Sequence, residues 1–332
     1  MNPLGHGRHL KIDDPIPAPL QPGSDSDVRA GWLDLQALLR ELLHQGDGAI
    51  NPLPRLEGIE KRALELLDED QDECLFVLFQ ALGDLSLGYC ATHALLSAVV
   101  CRQTAHRLGM SDAARQTLFR SALVMNIGMA RTQDDLARQN PIPSAAQRKL
   151  IREHPQRSVD SLRRFGVVDE DWLDIVRWHH EVDESIGLAR NRTSRRLLRA
   201  ADCLIARMAP RTTRLAMAPL NSATAMMPGT PEDATAIGNA MIAVVGFYPP
   251  GTYVQLVNGE KAVSVARGAR ANNPHVVSLV NPGGMPLSPY LYRDTSDPQF
   301  AIRSPLNAEK IKVKVSLEAV LNVVKTRSDP TD

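Results

Sequence analysis

The sequence has 332 residues, with 38 Lys and Arg balanced by 38 Asp and Glu. It is 43% hydrophobic and 23% charged, a composition typical of a soluble globular protein of two or three domains that needs no disulfide scaffold. Zero net charge argues against attraction of the whole chain to nucleic acid or to an anionic membrane. We therefore expect neither a nucleic-acid partner nor a membrane partner.

Three features of the chain indicate its cellular compartment. The longest apolar stretch, residues 240–248, is far shorter than the ~20 residues of a membrane-spanning helix. Residues 1–14 hold histidines and charges where a secretory signal needs an uninterrupted apolar run. The four cysteines show no Cys-x-x-Cys spacing and lie beside apolar residues, which is typical of buried thiols. The sequence predicts a cytoplasmic protein.

The first 246 residues are predicted to be a tail followed by helices. Residues 1–26 carry five prolines and no apolar periodicity, so they are predicted to form a flexible tail. Apolar residues at helical spacing predict an N-terminal helical segment over residues 27–84 and a helical domain over residues 85–246. One long helix is expected from about Cys74 to Leu108, ending at Gly109.

The pattern changes after Phe247. Two alternating segments flank the turn dipeptide Asn258-Gly259, which predicts a β-hairpin. Further short strands are expected at residues 275–280, 290–292 and 311–315. The predicted fold class is therefore mainly α, with a β-rich C-terminal appendage over residues 247–332.

Candidate chemistry lies on the helices. His93, His154 and His179 follow apolar stripes and should point into the core, with His180 beside His179. Asp202 is the only acid among many arginines between Arg190 and Arg214. Each histidine alone is typical of a hydrogen-bonded core residue, but imidazole and carboxylate are also the ligands that transition metals prefer. Together they predict a metal pocket.

Several motifs resemble those of the HD-GYP family, the branch of HD-domain metal-dependent phosphohydrolases that opens cyclic di-GMP in bacteria. The resemblance covers roughly residues 85–280. It is carried by the helix with His93, by Glu153-His154-Pro155, by His179-His180-Glu181, by Ala200-Ala201-Asp202 and by residues 246–260. It implies an HD-domain helical bundle and a role in second-messenger signalling.

Both signature motifs depart from the family pattern. The His-Asp pair is replaced by Met125-Asn126, the lysine that follows it is replaced by Met129, and residues 183–188 replace the Gly-Tyr-Pro loop. Asn126 and Met129 are thus degenerate catalytic positions. By resemblance, His93, Met125 and Asp202 would serve one metal, and His154, His179 and His180 the other.

These departures weaken the metal centre that the resemblance implies. The family's aspartate bridges two cations, and the neutral Asn126 cannot balance their charge. We expect one transition metal, iron, manganese or zinc, held by the three histidines, or an empty pocket. Loss of the lysine at Met129 removes a cation that would stabilise phosphate charge.

An arginine cluster follows the histidines. Eight arginines lie between residues 190 and 214, and guanidinium groups match phosphate oxygens. Phosphate binding is assigned to Arg195, Arg199 and Arg211. The alternative is a solvated basic face.

One function is favoured, and two alternatives are left open. The first is a degenerate HD-GYP-like protein that binds cyclic di-GMP or a related nucleotide and regulates, with little or no hydrolysis. The second is a phosphodiesterase or phosphohydrolase that runs on one metal at the three histidines. The third is a scaffold for a protein partner of the signalling pathway.

Overall fold

The computed structural model of the chain describes residues 27–183, 185–209, 231–307 and 310–328. The predicted tail of residues 1–26 and the predicted phosphate ligand Arg211 lie outside these ranges. None of the helices within them combines the length and the apolarity that crossing a bilayer requires.

Three helices form the N-terminal part: α1 (Val28–Gln45), α2 (Pro52–Glu69) and α3 (Gln71–Gly83). Their starts follow from local chemistry. Asp27 caps α1 by accepting from the Ala30 amide, and Asp70 caps α3 by accepting from the Glu73 amide. The apolar faces of these helices join one hydrophobic core that also contains the later helices. The domain boundary at residues 84 and 85 stays a prediction.

The central helix is α4 (Tyr89–Arg107), which is buried along almost its whole length. It packs against α1, α3 and four later helices. The expectation of one helix from Cys74 to Leu108 is wrong, because residues 84–88 separate α3 from α4. Asp84 accepts hydrogen bonds from Ser86, and Gly88 adopts a positive φ of 101° that ordinary residues avoid. Residues 84–88 therefore end α3, and α4 begins as a separate helix at Tyr89.

Within the described ranges, the body has six further helices, four of which pack on α4. They are α5 (Asp112–Val124), α6 (Ala130–Arg138), α7 (Ala145–Arg164), α8 (Glu170–Trp178), α9 (Arg192–Met208) and α10 (Pro231–Val245). Ser144 and Gln147 form a capping box at the start of α7. The helix continues through Pro155 to Arg164.

The C-terminal part is an antiparallel sheet with strand order β4-β3-β2-β1-β5. The strands are β1 (Tyr253–Leu256), β2 (Lys261–Ala266), β3 (His275–Val280), β4 (Pro286–Asp294) and β5 (Ile302–Leu306). The predicted hairpin is confirmed, since Val254 lies opposite Ala262 and Gly259 turns with a φ of 91°. The expected strand at residues 311–315 is wrong, and β5 was missed because it contains Pro305, which only an edge strand tolerates.

The sheet packs against the helical body mainly through contacts with α3. Phe76 of α3 is buried among apolar residues of β2 and β3 and of a last helix, α11 (Leu317–Ser328). The Arg267 guanidinium donates to Asp72 Oδ1 at 2.6 Å, and the Gln80 amide donates to the Gly251 carbonyl at 3.2 Å. The prediction of a mainly helical protein with a C-terminal β-rich appendage is confirmed.

Candidate metal centre

Three histidines from neighbouring helices meet in the core and form what we call the histidine cluster, His154, His179 and His180. His154 lies in α7, and the other two follow the end of α8. Their candidate ligand atoms all lie within 4.8 Å of one another. His154 and His179 are buried, whereas the His180 side chain is 43% exposed. The cluster is thus closed on the core side and open to solvent at His180.

The proton position on His154 follows from the proline after it. Pro155 has no N–H, so it cannot donate to the Ile151 carbonyl one helical turn earlier. The His154 ring lies with Nδ1 2.6 Å from that carbonyl. Because a carbonyl only accepts, Nδ1 carries the proton and donates it. His154 therefore keeps the lone pair on Nε2 when it is neutral.

The end of α8 sets His179 in the same way. The helix ends at Trp178, which frees the last carbonyl groups of its final turn. His179 Nδ1 lies 2.7 Å from the Val176 carbonyl and donates to it. The Nε2 atom of His179 is left as an acceptor, just as in His154.

These two acceptors face each other, with 3.4 Å between the Nε2 atoms of His154 and His179. Burial, with the positive charge of His180 as a smaller cause, lowers the pKa of His154 to about 4. Burial also lowers the pKa of His179 well below its usual value and lowers that of His180. Two neutral imidazoles with opposed lone pairs repel each other unless a cation lies between them. The donor set and the tautomers fit a divalent metal ion.

The neighbouring histidine is in a different state. His93 in α4 is buried, with Nδ1 3.0 Å from the Tyr89 hydroxyl and Nε2 2.8 Å from Asp202 Oδ1. Both of its ring nitrogens are therefore engaged by protein groups. We call this Tyr89–His93–Asp202 arrangement the His93 chain.

Asp202 of α9 links the two groups. Its second oxygen, Oδ2, lies 4.0 Å from His180 Nε2. Burial by itself would raise the pKa of Asp202, but the hydrogen bond with His93 and the nearby imidazoles lower it well below its usual range. Asp202 is thus an ionised carboxylate at the edge of the histidine cluster, where negative charge would favour a bound cation.

The degenerate positions lie in the turn that joins α5 to α6. Ser158 of α7 donates to the Met125 carbonyl at 2.8 Å and accepts from the Gly128 amide at 3.0 Å. A Cβ on Gly128 would come within 2.8 Å of the Ser158 amide, so only glycine lets this turn pack so closely. The turn is thereby fixed beside α7, one turn after His154.

Asn126 in this turn is 5% exposed, and its Oδ1 has no hydrogen-bond partner within the ranges that the structure describes. A buried acceptor without a donor is costly. Its amide oxygen is a neutral ligand, so it cannot compensate two cations as a carboxylate would. Met129, three residues on, is half-buried. The fit is to one metal ion at the histidine cluster.

The arginine predictions divide. Arg195 is buried, and its guanidinium donates to Asp174 Oδ2 at 3.0 Å, joining α9 to α8. The assignment of Arg195 to phosphate binding is therefore wrong, because a buried ion pair occupies it. Arg199 is half-buried, and its charge contributes to the lowered pKa of His180, so it lies near the open side of the cluster. The phosphate role of Arg199 stays a prediction.

Sequence reasoning missed the groups that orient the imidazoles. Two of them are the carbonyls of Ile151 and Val176, which carry no side-chain signal. Pro155 directly after His154 could have indicated the first, and the end of α8 the second. Tyr89, four residues before His93, could have been found from helical spacing.

No family model matches the chain, and no curated protein matches it in sequence. Among solved structures, the chain is similar to Bd1817, an HDG"Y"P protein from Bdellovibrio bacteriovorus, at 12% sequence identity. The match covers 66% of this chain and 74% of that one, with a TM-score of 0.50. At this identity the similarity concerns the fold. It confirms the predicted HD-GYP-like helical architecture.

Proposed function

We propose that this protein is a signalling module with an HD-GYP-like fold that holds one divalent metal ion at the histidine cluster and binds a phosphate-containing nucleotide beside it, with little or no hydrolysis. The observation that carries the proposal is the contrast between the opposed Nε2 atoms of His154 and His179 and the fully engaged ring of His93. The Nε2 atoms of His154 and His179 are available to bind one ion. Both ring nitrogens of His93, which a second ion would need, already contact protein groups.

The loss of hydrolysis rests on charge. Two divalent ions close together need a shared anion to hold them, and Asn126 supplies a neutral oxygen instead. The cation that the resemblance would place at Met129 is also missing, and an electrostatic contact of that kind is typically worth about 3 kcal/mol of barrier. Binding can survive these changes because it needs only one ion and accessible cationic side chains.

The nucleotide assignment rests on the resemblance and on the open face of the site. The HD-GYP resemblance implies cyclic di-GMP or a related molecule as the ligand. His180 and Arg199 border the solvent side of the cluster, where phosphate oxygens could approach. Residence in the cytoplasm and action within a bacterial signalling pathway belong to the same proposal.

The proposal is tested first by metal analysis and calorimetry on the full chain. We expect one equivalent of iron, manganese or zinc, and cyclic di-GMP binding that weakens as salt rises. Arg199→Gln should weaken nucleotide binding, while Arg163→Gln, an exposed arginine at the end of α7, should not. The metal count refers to the histidine cluster and is taken as the number of equivalents lost in His179→Ala. A loss of two equivalents would overturn the proposal.

Asn126→Asp gives a sharper test of the missing bridge. The new buried carboxylate should lower the free energy of unfolding of the metal-free protein by about 3 kcal/mol, because it has no compensating charge. Added manganese should restore stability and raise the metal content toward two. If the wild-type and the variant bind the same number of ions, Asn126 does not limit the stoichiometry.

A second candidate is a phosphohydrolase that runs on one metal. It is favoured by the exposed His180, which leaves the cluster open on one side. A bound divalent ion would supply Lewis acidity there. Manganese- or iron-dependent hydrolysis of cyclic di-GMP that is abolished in His154→Ala would establish this candidate. Absence of any nucleotide binding would instead favour the scaffold for a protein partner.

A further inference from the structure

A second group of metal-ligand side chains lies away from the histidine cluster, where α1, α4 and α6 meet. It consists of His44 in the last turn of α1, Cys90 in the first turn of α4 and Asp134 in α6. Their candidate ligand atoms lie within 4.8 Å of one another. Cys90 and Asp134 are buried, and the His44 side chain is 22% exposed. We call these three residues the Cys90 cluster.

The spacing of its atoms matches a tetrahedral metal site. His44 Nε2 lies 3.6 Å from Cys90 Sγ and 2.9 Å from Asp134 Oδ2. Zinc bonds of ordinary length at tetrahedral angles separate a nitrogen from a sulfur by about 3.6 Å and from an oxygen by about 3.4 Å. The first distance already agrees, and the second would have to lengthen by about 0.5 Å.

We propose that the Cys90 cluster binds one zinc ion through His44 Nε2, Cys90 Sγ and Asp134 Oδ2, with the fourth position open to water on the exposed side of His44. One sulfur, one nitrogen and one oxygen ligand form a donor set that suits zinc. The site is independent of the histidine cluster, because the two groups share no residue.

Zinc binding here exchanges protons without any redox change. Burial, with the charge of Asp134 as a smaller cause, raises the pKa of Cys90 and keeps its sulfur protonated in the metal-free protein. When zinc binds, the S–H bond breaks, a zinc–sulfur bond forms, and one proton leaves to solvent. His44 Nε2, which donates to Asp134 Oδ2 in the metal-free protein, gives up its proton to solvent, and the coordinated neutral ring carries its proton on Nδ1.

The competing interpretation is a hydrogen-bonded network without metal. Asp134 Oδ1 accepts from the Cys90 amide at 2.6 Å and so caps the start of α4, and the Arg40 Nε atom lies 3.9 Å from Asp134 Oδ2. That cap uses one carboxylate oxygen, and the other, Oδ2, accepts from His44 Nε2 at 2.9 Å, so a metal ion would have to replace this hydrogen bond. The Arg40 Nε atom is buried without a hydrogen-bond partner in the described part of the chain. Arg40 therefore does not satisfy the carboxylate with a formed hydrogen bond.

Occupancy of the Cys90 cluster would join the N-terminal segment to the helix that carries the His93 chain. Tyr89 and Cys90 are adjacent in α4, and His93 follows one turn later. A metal bond between α1 and α4 would fix the start of α4 and thereby the position of the Tyr89 hydroxyl. The zinc site would have a structural role for the neighbouring centre.

Cobalt(II) titration of the metal-stripped full chain tests the proposal. Cobalt held by a thiolate shows a sulfur-to-metal charge-transfer band in the near ultraviolet, which a site made only of histidines cannot give. We expect this band in the wild-type protein, where zinc should bleach it. In His154→Ala, where the histidine cluster no longer competes for cobalt, the band should saturate at one equivalent. The histidine cluster does not affect this readout, so the band should persist in His154→Ala even if the proposed function fails.

Variants of the cluster assign the band. Cys90→Ser should remove it, whereas Cys203→Ser, which alters a half-buried thiol elsewhere on α9, should leave it intact. His44→Ala, on a partly exposed side chain, should weaken cobalt affinity about 10-fold or more and covers the case in which Cys90→Ser fails to fold. Absence of the band in the folded wild-type protein, or its survival in Cys90→Ser, would overturn the zinc site.

Discussion

The two halves of the candidate metal centre contain the same kinds of residue in opposite states. In the histidine cluster, backbone carbonyls hold the Nδ1 protons of His154 and His179, and the Nε2 atoms face each other 3.4 Å apart. In the His93 chain, Tyr89 and Asp202 occupy both ring nitrogens of His93. Spare lone pairs, rather than the number of histidines, distinguish a metal-ligand set from a hydrogen-bonded core.

The difference also indicates why the His93 chain is not expected to hold a metal ion. A buried His–Asp pair is stabilised by its own hydrogen bond when no cation competes for its atoms. Under the proposed function the neutral Asn126 supplies no anion that both halves share, so the two halves should respond separately to substitution. Variants that change one half at a time test this difference between the two halves.

The largest effect is expected from removing a spare ligand. His179→Ala should weaken divalent metal binding by at least about 100-fold, because a direct ligand should matter no less than the outer-shell partners that cost 10- to 100-fold. His93→Ala should change it far less. Competition with a chelating dye measures both affinities, and His106→Ala, on an exposed histidine of α4, is the control. Equal losses for His179→Ala and His93→Ala would contradict the division into two halves.

The arginines of α9 should show a similar division between engaged and available groups. Arg195→Gln should lower the free energy of unfolding by about 3 kcal/mol, since it leaves Asp174 buried without its cation. Arg199→Gln should change it by less than about 0.5 kcal/mol. Urea unfolding of both variants measures this contrast. A mild Arg195→Gln would mean that the ion pair contributes little to holding α9 against α8.

A smaller effect is expected in the His93 chain. Tyr89→Phe removes one buried hydrogen bond to His93 Nδ1 and should lower the free energy of unfolding by about 1 kcal/mol. Metal affinity at the histidine cluster should stay within a few-fold of the wild type. Thermal unfolding and the dye competition assay give the two readings. A large loss of metal affinity would show that the halves are coupled through Asp202.

The smallest effect on stability is expected at Glu260, a carboxylate in the sheet whose hydrogen bonds are all formed. Glu260 accepts from Ser278 Oγ at 2.6 Å and from the Arg293 guanidinium at 3.0 and 3.1 Å. Burial alone would raise its pKa, but these hydrogen bonds and the charge of Arg293 lower it below the usual value of 4.5. A lowered pKa means that the stabilisation is complete above pH 4.5 and is lost as pH falls through the folded-state pKa.

Glu260→Gln should therefore destabilise the protein at pH 7, and the difference from the wild type should shrink on acidification toward pH 3. Urea unfolding at both pH values measures it. A difference that is independent of pH would show that the charge of Glu260 contributes nothing.

The helical body and the hairpin around Asn258-Gly259 could be predicted from the sequence, and so could the placement of the candidate histidines in the helical body. Apolar spacing fixes which face of a helix is buried, and hydrophobic periodicity is a local property of the chain. The same local information places His93, His154 and His179 on buried faces. The sequence also shows the neutral Asn126 at the position where the resemblance implies an aspartate.

Which of these side chains are already engaged by protein partners follows from the three-dimensional structure. The break at residues 84–88, the edge strand with Pro305 and the ion pair of Arg195 with Asp174 all depend on partners distant in sequence. The protonation pattern of His154 and His179 and the meeting of His44, Cys90 and Asp134 are settled in the same way. A hydrogen bond or a ligand set is a relation between atoms in space, and the spacing of residues along a chain does not contain it.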